Sequence, residues 1–414
     1  MLSPTDTPST ALLAIEDALA RVLAAIAPLP AEIVALEDAH QRVLAEAIRA
    51  DADVPAFDRS AMDGIALRSA DGAAGALLQQ VGESAAGSPF VGQVQAGECV
   101  RVMTGGVVPA GADAVVPVER IERLEGDVYR LLDPARVEQN ISRKGCEVRE
   151  GDAVLAPGLR LSGARVGVLA TYGHARVHVA QRPRVAMLPT GNEIVPVATT
   201  PRLGQVRDAN RHALTGLMLT AGASVRQHAV AADDRAALTA AIARAWQDAD
   251  VLVTSGGVSA GDYDLVPPVL QELGATLHFH KIAIKPGKPL LFATRRHEGR
   301  IQYAFGLPGN PVSSYVCCAL FVLPALLALQ GAPADWQRLI VPSATPLPGT
   351  GPRAEILPAV LLQQDGETRA NVRMLGSSAD LTRFSAAEWL AYRPAHAPPV
   401  PAGTPVMLFA SPRP

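Results

Sequence analysis

The sequence predicts a multidomain α/β protein. Its 414 residues exceed the ~100–200 residues of one domain. Strand-like and helix-like segments alternate from residue 182 to 330, as in a mostly parallel sheet covered on both faces. Residues 55–140 break instead into short apolar runs between Gly, Pro and Asp, such as Gly97–Met103 and Gly111–Val116, which marks a small, mostly β module.

Along the chain, Leu12, Leu13, Ile15, Leu19, Val22, Leu23 and Ile26 recur at helical spacing, and Pro28 and Pro30 stop that helix. Gly151–Leu161 reads as a hairpin. Within 182–330, strands are expected at Val185–Leu188, Ser224–Val230, Val251–Thr254, Leu277–Ile284, Leu290–Thr294 and Gln302–Phe305. Helices are expected at Asp208–Thr220, Asp234–Asp248 and Leu265–Leu273, with a closing helix at Ser313–Gln330. A Pro/Ala/Gly-rich linker, Gly331–Pro352, leads to a tail with short β-like runs and no strong helix.

Composition bounds the function. Apolar residues make up 49%, enough for a core, and the 35 Gly and 34 Pro imply many turns, not disorder. A net charge of −3 with no basic stripe argues against nucleic-acid binding. Cys99, Cys146, Cys317 and Cys318 form no C-x-x-C pair, which suits a reducing compartment. The N-terminal region lacks the basic start of a signal peptide, and Tyr315–Leu329 is short of the ~20 residues of a membrane span. The expectation is a cytoplasmic protein with no membrane partner.

Lysine usage is the most informative feature. The 37 basic residues include four lysines, Lys144, Lys281, Lys285 and Lys288, and the last three crowd into Lys281-Ile-Ala-Ile-Lys285-Pro-Gly-Lys288-Pro289. An arginine-rich coding bias explains scarcity but not clustering. A compact ammonium suits positions where a guanidinium fork does not. Lys281 and Lys285 are expected on one face of an extended segment, with Pro286-Gly287 turning Lys288 back toward them. An anion site follows.

Three strand-to-loop junctions add to it: Leu188–Glu193, Thr254–Asp264 and Phe305–Ser314. Gly256 and Gly257 after an apolar strand would let backbone N–H groups face a phosphate. Sheets of this class bind ligands at such carboxyl-end loops. Glu193 and Asp264 could hold Mg²⁺ against a phosphate, whereas Asp208 and Asp234 read as helix caps. His278 and His280, two apart on a strand, lack a third ligand and read as structural. No G-x-G-x-x-G, Walker A, G-x-S-x-G or H-E-x-x-H motif occurs.

Phe57–Gly64, Arg101–Gly106, Pro189–Glu193, Ser255–Asp264, Ile284–Pro289 and Gly306–Ser314, taken together and in order, resemble the molybdopterin molybdenumtransferase family, which includes bacterial MoeA and the E domain of gephyrin. The resemblance implies molybdenum cofactor biosynthesis: insertion of molybdate into adenylylated molybdopterin with Mg²⁺-dependent release of AMP. By position it implies functional roles for Asp63, Thr104, Glu193, Asp233, Asp264, Lys281 and Lys285. It matches Pro308 and Pro311 to the family's loop prolines, and Ser313, Arg353 and Ser377 to positions that help the lysines hold molybdate; Gly256, Gly257, Ser259 and Lys288 are further candidate substrate contacts from the glycine loop and the lysine cluster. It implies a homodimer whose active site is shared between subunits. It also implies four parts: a discontinuous mixed N-terminal domain (1–54 and 142–178), an inserted β domain (55–141), a three-layer α/β molybdopterin-binding domain (179–330) and a β-barrel-like C-terminal domain (331–414). Two rivals stand beside it, a molybdopterin adenylyltransferase and a non-catalytic pterin-binding scaffold. The lysine segment and the additional domains favour insertion.

Overall fold

The computed structural model describes residues 12–258, 264–364 and 366–410. The chain separates into two compact units, one holding residues up to 46, 157–162 and 176 onward, the other 47–156 and 163–175.

The first unit is built on six strands: β1 (Arg184–Pro189), β2 (Ser224–Gln227), β3 (Val251–Ser255), β4 (Thr276–His280), β5 (Leu291–His297) and β6 (Arg300–Leu307). Their order is β2-β1-β3-β6-β5-β4. The junctions β2-β1, β1-β3 and β3-β6 are parallel, and β6-β5 and β5-β4 antiparallel. All five residues of β3 are buried, and its Val251-Leu252-Val253 start is apolar on both faces, as a central parallel strand requires.

Alternation along β1 divides the core. Val185 and Met187 join one cluster with α1 (Ile15–Ala25), α2 (Ala209–Thr220) and the long helix that follows β6. Ala186 and Leu188 join the other, with α3 (Arg235–Trp246) and α4 (Val266–Glu272). Helices thus cover both faces. Asp208 caps α2 by accepting from the Arg211 N–H (3.1 Å), and Asp234 caps α3 by accepting from the Ala237 N–H (2.9 Å).

The long helix, α5, runs Pro311–Leu329, with a π turn at Cys318–Val322 just before Pro324. Proline lacks the N–H that a regular turn needs, and the π turn lies where the ladder must adjust. Among the described residues α5 is the one helix long and apolar enough to cross a membrane by length and composition, yet 83% of its apolar window is buried inside this unit.

Two sequence expectations fail on long-range pairing. The expected strand Leu277–Ile284 breaks at Lys281, whose φ is +86°. Ile284–Lys285 leaves the β4 sheet and pairs in parallel with Ala354–Glu355 of the tail. It becomes the edge of a second six-stranded sheet, completed by Ala354–Gln364, Glu367–Val372, Trp389–Arg393, Pro405–Ala410 and Arg338–Pro342. Gly151–Leu161 is not a hairpin, because Ala153–Leu155 pairs with Ile48–Arg49 about a hundred residues earlier.

The second unit holds a six-stranded sheet in the order 114–117, 64–67, 98–102, 77–84, 128–131, 121–123. Ile65, Leu67, Cys99 and Val116 pack on one face, Ala66, Val100, Val102 and Val115 on the other. Gly64 is sterically required, since a Cβ there would fall 2.0 Å from the Val116 carbonyl oxygen.

Candidate functional site

The lysine-bearing loop is tied down at both ends. The Lys281 N–H donates to Leu290 O and the Ile282 N–H to Lys288 O, each at 2.9 Å. Gly287 has φ +117°, and a Cβ there would lie 2.6 Å from Cys317 Sγ of α5. That thiol is buried, which pushes its pKa up, and as a neutral S–H it donates to Gly287 O at 3.4 Å. Absence of a side chain thus lets the loop seat on α5.

This seating opens a cavity of about 430 Å³ lined by Lys285, Lys288, Ser313, Arg353 and Ser377, five of the expected site residues, together with Glu355. Three distant segments meet there: the lysine loop, the first turn of α5 and the tail. Lys285 Nζ lies 2.9 Å from Glu355 Oε1, and Arg353 Nη1 donates to Ile284 O at 3.4 Å. The tail loop is pinned to α5 by Asn310 Nδ2 donating to Ser378 Oγ (2.9 Å) and the Val312 N–H donating to Ser378 O (3.1 Å). Lys281 does not line this cavity. Its left-handed backbone ends the extended run that would have set it beside Lys285.

A second cavity, about 580 Å³, shares Pro289 with the first. It sits where β1, β3 and β6 end, and its lining includes Thr190, Glu193, Asp208, Asn210, Ser255, Pro308 and Pro311. Gly191, at φ +139°, lets the Glu193 carboxylate fold over the loop, since a Cβ there would meet Glu193 Oε2 at 2.5 Å. Asp233 braces that loop from behind. The Asn192 N–H donates to Asp233 Oδ2 (3.1 Å) and the Asp233 N–H to Asn192 Oδ1 (3.2 Å).

Of the expected phosphate cradle at Gly256–Gly257, the Gly256 half needs correction. The Gly256 N–H donates to Leu307 O at 2.9 Å, so it is committed inside the sheet. A Cβ at Gly256 would lie 2.6 Å from Thr190 O, and one at Gly257 2.9 Å from Val266 Cγ2. These glycines allow β3 to turn tightly beside the Thr190 loop and α4. Asp264 lines neither cavity. Ser259 and Asp262 lie outside the described residues. Among the described residues no three His, Cys, Asp or Glu side chains converge. The two strand histidines have structural partners, as their sequence context suggests. His278 Nε2 is 2.8 Å from Thr294 Oγ1, with its ring stacked on Phe292 at 5.0 Å, and His280 Nε2 is 2.9 Å from Val258 O.

In the second unit, Asp63 and Thr104 form one group. Asp63 Oδ1 accepts from the Thr104 N–H at 2.6 Å and from its hydroxyl at 2.7 Å. The backbone N–H first, and then the hydroxyl, hold the Asp63 carboxyl below the usual carboxylate range. Their loops are clasped together, with the Ser60 N–H donating to Gly106 O (2.9 Å) and the Gly105 N–H to Ser60 O (2.8 Å).

Sequence reasoning missed Glu355 and Asn310. Glu355 had a signal in retrospect, an acidic residue two after Arg353 in a strand otherwise apolar on that side of the tail. Asn310 lay inside the Phe305–Ser314 junction without a role of its own.

Comparisons with known proteins identify the family. The MoeA N-terminal region (domain I and II) matches residues 13–173, and a probable molybdopterin binding domain matches residues 186–328. A molybdopterin molybdenumtransferase of Haemophilus influenzae is 37% identical over 288 residues, 69% of each chain. One from Staphylococcus aureus is 35% identical over 326 residues, 77% of this chain and 76% of its own. A crystal structure of a MoeA molybdopterin biosynthesis protein from Pyrococcus horikosii superposes with a TM-score of 0.79 at 31% identity, covering 97% of this chain and 99% of its own. A second, from Pyrococcus horikoshii OT3, gives 0.83 at 28% identity, covering 97% and 100%. The chain belongs to the molybdopterin molybdenumtransferase family.

Proposed function

We propose that this chain is a molybdenumtransferase that inserts molybdate into adenylylated molybdopterin, cleaving the phosphoanhydride and releasing AMP with the help of Mg²⁺. The observation that carries this reading is the meeting of Lys285, Lys288, Arg353, Ser313 and Ser377 around one small cavity. Ammonium and guanidinium groups neutralise a tetrahedral oxyanion, and hydroxyls donate to its remaining oxygens. The adjoining cavity at the β1, β3 and β6 ends is of a size for pterin and phosphate, which sets the anion beside the bond to be cleaved.

Mg²⁺ needs few protein ligands, because it is usually held by one or two carboxylates plus substrate phosphates. Glu193 lines the wider cavity and would be one ligand; Asp264, outside both cavities, is taken as the second on the family resemblance alone. When bound it supplies charge neutralisation at the phosphoanhydride. Asp233 holds the Glu193 loop, and Lys285 and Lys288 hold the oxyanion. Asp63 and Thr104 are assigned to the site of a homodimer, entering from the second subunit. Free thiols at all four cysteines suit a cytoplasmic setting.

Purified chain supplied with adenylylated molybdopterin and Mg²⁺ should release AMP on addition of molybdate and not without it. Molybdate-independent AMP release, or consumption of ATP with molybdopterin, would replace this reading with hydrolysis or adenylylation.

A further inference from the structure

The oxyanion cavity contains a group that works against it. Its lining carries three cations, Lys285, Lys288 and Arg353, and one carboxylate, Glu355. Glu355 is 7% exposed, whereas the side chain of its partner Lys285 is 60% exposed. Burying a carboxylate is costly unless it is paired, and placing one beside an anion pocket weakens anion binding. A pocket shaped only for tight binding would not contain it.

The backbone fixes the pair. Lys285 and Glu355 are directly paired residues on neighbouring parallel strands. Their 2.9 Å contact therefore holds a long, otherwise mobile side chain at one place on the cavity wall. On the other side of Glu355 the paired residue is Arg393, whose Nη2 donates to Pro348 O (3.2 Å) and Pro398 O (2.7 Å). Lys285 is thus the cation that Glu355 contacts within the pocket.

We propose that Glu355 is a positioning and charge-balancing residue: it pins the Lys285 ammonium and trims the lining to two net positive charges, matching a doubly charged oxyanion. This rests on the oxyanion reading of the cavity. Charge matching leaves the anion bound but releasable, so that it can be handed to the pterin. Without Glu355 the lining would carry one more positive charge. It would then grip any tetrahedral dianion more tightly, and Lys285 would lose its fixed place.

The test uses the full chain with sodium molybdate and sodium sulfate as probes, titrated calorimetrically, alongside AMP release. Glu355→Gln keeps the shape and removes the charge. It should bind both oxyanions at least about ten-fold more tightly, and lower KM for molybdate together with kcat. Glu355→Asp keeps the charge but shortens the reach. It should leave molybdate affinity within about three-fold while kcat falls. A merely structural Glu355 would give weaker binding in both variants, in step with lost stability, and that result overturns the proposal, as does unchanged KM and kcat in Glu355→Gln. If Glu355→Gln does not fold, Glu355→Asp decides alone, a ten-fold loss of molybdate affinity counting against. Failure of the underlying reading looks different, because the parent chain itself would then bind no molybdate.

Discussion

At Gly287 one absent methyl group decides where the cation loop lies. The backbone there is at φ +117°, and the Cys317 thiol occupies the space a side chain would need. Gly287→Ala should destabilise the protein by about 1–3 kcal/mol in urea unfolding, and adding Cys317→Ala should recover part of that loss. Asp63 makes a prediction of another kind. Its folded pKa is lowered, so its contribution is present above the unfolded value and fades as pH falls through the folded one. Titration followed by NMR should show Asp63 ionising below an ordinary aspartate. Thr104→Ala should move it part of the way back, because the backbone N–H, the larger contributor, stays. The lysines were legible as residues because nearly every other basic position is arginine. Lys281 was misplaced because a single left-handed residue reverses which side a strand presents, and no residue type at that position announces it.

Elements bounded by side-chain chemistry were read to within about a residue or two at their starts. Asp208 and Asp234 start their own helices by accepting from N–H groups that the first turn leaves unpaired. Asp234→Ala should cost about 1 kcal/mol in urea unfolding. Asp208→Ala should cost more, since Asp208 is buried and also pairs with Arg211 Nε at 2.7 Å. Elements defined by a distant partner were not legible. Nothing local tells Ile284–Lys285 that its neighbour is Ala354–Glu355, or Ala153–Leu155 that its neighbour is Ile48–Arg49. The same blindness hid Glu355, whose importance comes wholly from the strand beside it.

For the whole molecule, the site depends on segments from the α/β sheet, α5 and the tail, so cutting the chain after α5 removes Arg353 and Ser377 and should abolish molybdate binding by calorimetry. A shared homodimeric site has a sharper signature. Asp63→Ala and Lys285→Ala, each inactive alone, should recover about a quarter of parental activity when unfolded and refolded together, since a mixed dimer keeps one intact site. No recovery, with mixed dimers present, would confine both residues to one subunit's site. Underlying all of this is the claim that the 430 Å³ cavity holds the oxyanion the enzyme transfers. Molybdate-dependent AMP release by Lys285→Ala tests it most directly. The lysine side chain is 60% exposed, so its loss should leave the chain folded by circular dichroism, while release should fall by about 100-fold or more. Near-parental release from the folded variant would contradict the assignment.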